Sequence, residues 1–99
     1  MKTIYFTITG MKYYYGSDFL KKGMKVKIKK EPDNKYDSEA IVVELEGLGA
    51  IGHVANSTNT VLGESYSAGR IYDMFKKKAK GKVKLITDRG VICELILKK

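Results

Sequence analysis

His53, Cys93, the carboxylates of Asp33 and Asp37, and the tyrosines at positions 13–15 and 36 are the side chains of this 99-residue chain whose types and spacing could do chemistry. A single histidine and a single cysteine cannot assemble a two-histidine metal site or a zinc tetrad, so no metal is expected. Cys93 lies in an apolar alternation with no second catalytic group near it in sequence, which predicts a buried structural thiol rather than a nucleophile. It cannot form an internal disulfide, and an intracellular, cytoplasmic protein is expected. Asp33 and Asp37 occupy a polar loop, and two carboxylates make a hydrolase only when a cleft places them. No glycine-rich phosphate loop and no serine elbow is present. Catalysis is therefore not expected, and neither is a cofactor.

Binding chemistry is better represented. Single-stranded nucleic acid is held by aromatic rings under the bases and cations along the backbone, with stacking worth roughly 1–3 kcal/mol per base. Aromatics and lysines coincide at two places, Lys12-Tyr13-Tyr14-Tyr15 and Lys35-Tyr36. Adjacent residues of an extended chain face opposite ways, so at least one of Tyr13 to Tyr15 should be exposed. Tyr5, Tyr66 and Tyr72 are expected to bury their rings at the core edge and leave the hydroxyl in water.

Charge points the same way. The formal net charge is +8, distributed as +7 over residues 1–30, −5 over 31–70 and +6 over 71–99. Such a balance favours a polyanionic partner, nucleic acid ahead of membrane because no amphipathic helix is evident. A solvated lysine surface that keeps a small protein soluble accounts for the charge equally well. No apolar run approaches a membrane span, and "MKTIYFTITG" lacks the unbroken apolar stretch of a signal peptide.

These residues need elements to position them. Lys2 to Thr9 alternates as a half-buried strand, and Met24, Val26 and Ile28 alternate with Lys25, Lys27 and Lys29 in a clearer one. "AIVVEL" (40–45), the turn "EGLG" and "AIGHV" (50–54) read as a hairpin. Ala55 to Gly69 begins with helix-capping residues and ends on a glycine, which predicts a short helix, or two helical turns broken near Gly63. "RIYDMFKKKAKG" has room for another turn, and the run Lys76 to Lys82 reads as a solvated basic loop or phosphate brush. "KVKLIT", "DRG" and "VICELIL" make a second hairpin. The sum is one domain spanning residues 1–99. It should be mainly β with small α insertions: a six-stranded, partly closed OB-like or SH3-like antiparallel barrel with one or two short helices after the fourth strand.

Three blocks in order, "GMKYYYG" (10–16), "KEPDNKYDSEAIVV" (30–43) and "GAIGHV" (49–54), resemble the HIRAN domain family. The family pattern is G-x-[RK]-Y-Y-x-G, then [RE]-x-P-x-N-x-Y-D-x-x-A-I, then [IV]-G-[HY]-[LV]. The resemblance implies a modified OB-like barrel that binds the 3′ end of single-stranded DNA, attached in eukaryotic members to helicase-like ATPases. Carried over by motif position, Tyr13 and Tyr36 would sandwich the terminal base and Asp37 would accept a hydrogen bond from the 3′-hydroxyl. Asn34 would be a polar contact or loop-former, and Lys12 and His53 phosphate contacts. An ionised carboxylate accepts hydrogen bonds and repels phosphate, which suits Asp37 to reading an end rather than a sequence.

Three positions depart from the pattern. Lys12 stands where arginine is commoner and loses the planar fork. Lys35 replaces a proline often found before the tyrosine, and Ala55 and Asn56 follow His53 where DNA-binding members have lysine. The function expected is a free-standing, non-catalytic module that binds 3′ ends of single-stranded DNA in repair or fork processing, with a helicase or nuclease acting in trans. The alternatives are a protein-interaction or structural module of the same fold that lacks DNA affinity, and a binder of RNA 3′ ends.

Overall fold

Alternation builds most of the fold. In β2 (Lys25–Lys30), Val26 and Ile28 point inward and are buried while Lys25, Lys27 and Lys29 point outward and are exposed. β6 (Gly90–Ile96) and the first part of β5 (Lys78–Thr87) follow the same pattern, whereas β1 (Tyr5–Thr9), β3 (Ile41–Leu45) and β4 (Gly49–Val54) each hold two or three consecutive buried residues. The computed structural model describes residues 3–97, so Lys2 of the first expected strand lies outside the described residues.

The strands form a closed antiparallel barrel in the order β1-β4-β3-β2-β5-β6. Closure is complete rather than partial because β6 returns to β1 in register from Tyr5↔Glu94 to Ile8↔Val91. Phe6, Ile8, Val26, Ile28, Ile41, Val43, Ile51, Val83, Val91 and Cys93 fill the interior, each at most 2% exposed. Ala68 and Ile71 of the one-turn helix α1 (Ala68–Ile71) join the same core.

Two close approaches need glycine. A Cβ at Gly52 would lie 2.8 Å from both the Ile8 side chain and the Thr9 carbonyl oxygen. One at Gly81 would lie 2.7 Å from the Phe6 ring. The first lets β1 and β4 cross; the second seats the largest core ring on β5.

The seam between β1 and β4 is the thinnest in the barrel, with Ile8↔Val54 and Thr9↔His53 as its paired positions. The segment 55–67 patches it. Ala55 N–H donates to the Thr7 carbonyl at 2.8 Å and Tyr66 N–H to the Tyr5 carbonyl at 2.6 Å. Thr7, an outward position of β1, is consequently fully buried; its hydroxyl bonds Ser65 Oγ at 2.7 Å and accepts from Leu62 N–H at 3.2 Å. Among the described residues no buried side-chain nitrogen or oxygen lacks a hydrogen-bond partner.

This patching corrects the helix expected from Ala55. Within residues 55–67 local bonds close only isolated turns, Val61 N–H donating to the Ser57 carbonyl at 2.9 Å and Ser65 N–H to the Leu62 carbonyl at 3.2 Å, while the bonds to β1 anchor the segment; the helix begins only at Ala68, capped by Ser67 accepting from Arg70 N–H. Gly69, expected as a stop, stands inside α1, and a 3-10 turn (Tyr72–Met74) follows. The run Lys76 to Lys82 is likewise not a loop: from Lys78 onward it is the first half of β5, with Ala79 and Gly81 facing inward. Tyr66 and Tyr72 pack against the core as expected, but Tyr5 is 39% exposed.

Candidate nucleic-acid interface

Three chain segments meet at one end of the barrel because of strand register. Thr9, His53 and Val42 are in register across β1, β4 and β3. The tyrosine loop leaves β1 just after Thr9, and residues 31–40 enter β3 just before Ile41. His53 therefore stands between the two loops that carry the aromatic and acidic residues.

The 31–40 loop is built on side-chain to backbone hydrogen bonds. Asn34 Oδ1 accepts from Tyr36 N–H at 2.9 Å and from Asp37 N–H at 3.1 Å, folding the chain back on itself. Asp37 Oδ1 accepts from Glu39 N–H at 2.9 Å, fixing the next turn. Glu31 N–H donates to the Ala40 carbonyl at 2.8 Å and closes the loop at its base. Asn34 thus shapes the loop that carries Tyr36 and Asp37.

His53 ties this loop to the tyrosines. Its Nε2 is 2.8 Å from Glu31 Oε1. A carboxylate only accepts, so Nε2 carries the proton, which in the neutral ring leaves Nδ1 to accept from the Tyr14 hydroxyl at 3.5 Å. Asn34 Nδ2 donates to the same Glu31 oxygen at 3.4 Å. The Tyr14 and His53 rings are tilted by 45° with centroids 6.1 Å apart.

Asp37 is not the freely solvated carboxylate that its loop position suggested. Its Oδ2 accepts from Asn56 Nδ2 at 3.2 Å, and the same amide nitrogen is 3.3 Å from Glu39 Oε1. Asn56 Oδ1 in turn accepts from Gly69 N–H at 2.8 Å. A carboxylate has about four acceptor positions, so each Asp37 oxygen retains one for a donor from outside.

The aromatic rings are left outward. Tyr36 is 98% exposed and Tyr13 77%, and Tyr14 and Tyr15 are exposed as well. Tyr13 stacks under Lys12, whose Nζ is 5.2 Å from the ring centroid. Lys12 and Tyr13 line a groove of about 460 Å³ whose far wall carries Arg89, at the tip of the β5–β6 hairpin.

Of the six residues expected at a site, Asn34, Asp37 and His53 fall into one hydrogen-bonded network and Tyr36 rides on its loop, while Lys12 and Tyr13 sit beside the groove. Sequence reasoning did not place Tyr14, Glu31 or Arg89 beside these residues, and it named Asn56 only as a departure from the family pattern. Tyr14 was visible as one of three equivalent tyrosines. Nothing in sequence links Glu31 to a histidine twenty-two residues away. Elsewhere, burial pushes the Cys93 thiol up to about 12, which keeps it protonated and inert.

A family model described as the HIRAN domain matches residues 1–87. A crystal structure of a protein from Lactobacillus plantarum is similar in fold, with TM-score 0.65 and 19% identity over 95% of this chain and 93% of that one. No curated protein sequence matches the chain. No described helix is long and apolar enough to cross a membrane. No cluster of three or more metal-ligating side chains occurs among the described residues.

Proposed function

The chain belongs to the HIRAN domain family, which is known for recognising 3′ ends of single-stranded DNA, and from that premise we propose that its loop rim binds the 3′-terminal nucleotide of a single strand. The observation that carries the reading is Tyr36: a ring 98% exposed on a loop whose backbone Asn34 pins. An aromatic face held in water on a fixed scaffold is a stacking platform with its ordering cost already met by the fold.

Asp37, next to it, offers its remaining acceptor positions to the 3′-hydroxyl and repels a phosphate at that place. Tyr13 supplies the second aromatic face, with Tyr14 beside it as the ring nearest His53. Lys12 and Arg89 line the groove by which the preceding phosphates leave. His53, held by Glu31, presents its Nε2 edge to phosphate only after that hydrogen bond loosens. A helicase or nuclease acts on the strand whose end the barrel holds.

One observation favours the reading without nucleic acid. Asp37 Oδ2 is already held by Asn56, where a lysine would have added a phosphate contact. The experiment separates the two readings. A short single strand with a free 3′-hydroxyl is compared with the same strand 3′-phosphorylated, against wild type, Tyr36→Ala and Asp37→Asn. Tyr36→Ala should weaken binding about tenfold or more while leaving the melting temperature unchanged, since the ring touches nothing. Asp37→Asn should erase the preference for the hydroxyl end. Equal affinity for both ends in wild type sinks the end-reading mechanism, and no binding at any salt favours the interaction module.

A further inference from the structure

The outward face of β2 and β5 holds an arrangement that the loop rim does not use. Pairing is antiparallel and unbroken from Lys25↔Lys82 through Lys27↔Lys80 to Lys29↔Lys78. Three pairs of lysines therefore stand directly opposite one another across two strands. Five of these side chains are exposed and Lys82 is half-buried.

Like charges directly opposite on a sheet are destabilising, so this ladder works against the fold that carries it. None of the six makes an ion pair among the described residues; the nearby bridge is Lys84 to Glu94 at 3.6 Å. Lys30 is spent differently, with its Nζ 4.4 Å over the Tyr72 ring and 5.1 Å over Phe75, so it stays out of the ladder.

We propose that this lysine ladder is a second binding surface, for the phosphate backbone of duplex nucleic acid. Alternate residues of a strand are about 6.7 Å apart, close to the rise of about two phosphates along one strand of a B-form helix, and three such lysines cover about four phosphates. Neighbouring sheet strands lie about 4.8 Å apart, so the two rows bracket one backbone. The six ladder positions carry no aromatic ring, and the ring beside them, Phe75, is half-buried with Lys30 over its face. A single strand is held chiefly by stacking of its bases on aromatic rings. A duplex hides its bases and presents phosphates, which is the ligand that such a cationic face fits.

The surface differs in chemistry from the 3′-end reading and does not depend on it; only its Lys29 end approaches the rim, in register with Val42 and His53. A groove of about 620 Å³ beside the ladder, lined by Met74, Phe75, Ile96 and Leu97 together with Lys27, Lys78 and Lys80, marks the rival occupant: an acidic peptide with apolar side chains.

The test uses a short DNA duplex closed by a loop at each end, which has no 3′ terminus. Its affinity is followed by fluorescence anisotropy across a salt series. The wild-type protein should bind at low salt, with log K falling linearly in log salt by about 0.9 per phosphate contacted. The variant Lys27→Gln/Lys29→Gln/Lys78→Gln/Lys80→Gln should bind more than tenfold more weakly with a slope shallower by up to about 3.6, and should melt no lower, since repulsion is removed. Tyr36→Ala should leave closed-duplex affinity unchanged, and the lysine variant should keep the ratio between 3′-hydroxyl and 3′-phosphate strands. The proposal is overturned if the closed duplex does not bind at low salt or the lysine variant binds it equally well. It is also overturned if Tyr36→Ala abolishes that binding, or if poly-glutamate displaces the duplex at equal charge concentration while Met74→Ser/Ile96→Ser weakens its own retention.

Discussion

The loop rim and the β2–β5 face carry charge in opposite ways. At the rim, Glu31, Asp37 and Glu39 each hold a named donor, and His53 is fixed between two neighbours. Across β2 and β5 lysine faces lysine, and none of the six is ion-paired among the described residues, with Glu44 opposite Lys27 and Glu94 opposite Lys82 on the flanking strands. The rim is therefore organised by geometry, with side chains held before any ligand arrives, and is suited to distinguishing one terminal group from another. The face is organised by field alone, suited to any phosphate backbone and sensitive to salt. One small barrel thus separates recognition that depends on shape from attraction that depends on charge.

Each region rests on a glycine, and substituting either should show which is the more rigid. The largest effect is expected from Gly52→Ala. Its Cβ meets the Thr9 backbone oxygen, which cannot rotate away, so a loss of about 3 kcal/mol is expected in urea unfolding, along with loss of 3′-end binding.

Alkaline pH comes next. The Cys93 thiol lies at about 12 in the fold against 9.0 ordinarily, so between these values the unfolded chain gives up its proton while the folded one keeps it. Stability is full below pH 9 and falls as pH rises toward 12, by at most about 1.4 kcal/mol per unit. The difference between wild type and Cys93→Val in thermal melts over that window isolates the thiol from the face.

Gly81→Ala should cost about 1–2 kcal/mol, because the atom it meets is the edge of the Phe6 ring, which can shift. It should disturb the lysine face and spare the rim, the reverse of Gly52→Ala, as chemical-shift changes confined to β2 and β5 would report. The smallest effect has the opposite sign. Lys29→Glu faces Lys78 on one side and Val42 on the other, so it should stabilise by about 0.2–1 kcal/mol at low ionic strength and lose that gain in high salt. Lys27→Glu should gain less, since Glu44 stands opposite it.

What could be read in the sequence divides along physical lines. β2 was legible because its apolar positions are β-branched and its polar ones are lysine, the strongest form of period-two contrast. β5 carries the same period in Lys78, Lys80 and Lys82, but its inward residues there are Ala79 and Gly81, small enough to sit under Phe6 and too small to signal a strand. Residues 55–67 misled because Asn and Ser serve turns as well as helix caps, and what decides between them is β1, some fifty residues earlier. At the rim the bonds of Asn34 to the Tyr36 and Asp37 amides are local turn chemistry, within reach of a sequence reading. The His53–Glu31 pair and the hold of Asn56 on Asp37 are tertiary, and no spacing rule reaches them.

The seam at β1 also has a consequence for how the chain is made. β1 takes its partners from β4 and from β6, with Tyr5 opposite Glu94. At roughly 5–20 residues per second, the first strand waits on the order of 5–20 s after its own synthesis before its last neighbour leaves the ribosome. Until then an edge containing Phe6 and Ile8 has no β6 to cover it. Nascent chains stalled before Val91 should remain open to protease within β1, and release of the last strand should close the barrel as a single late event.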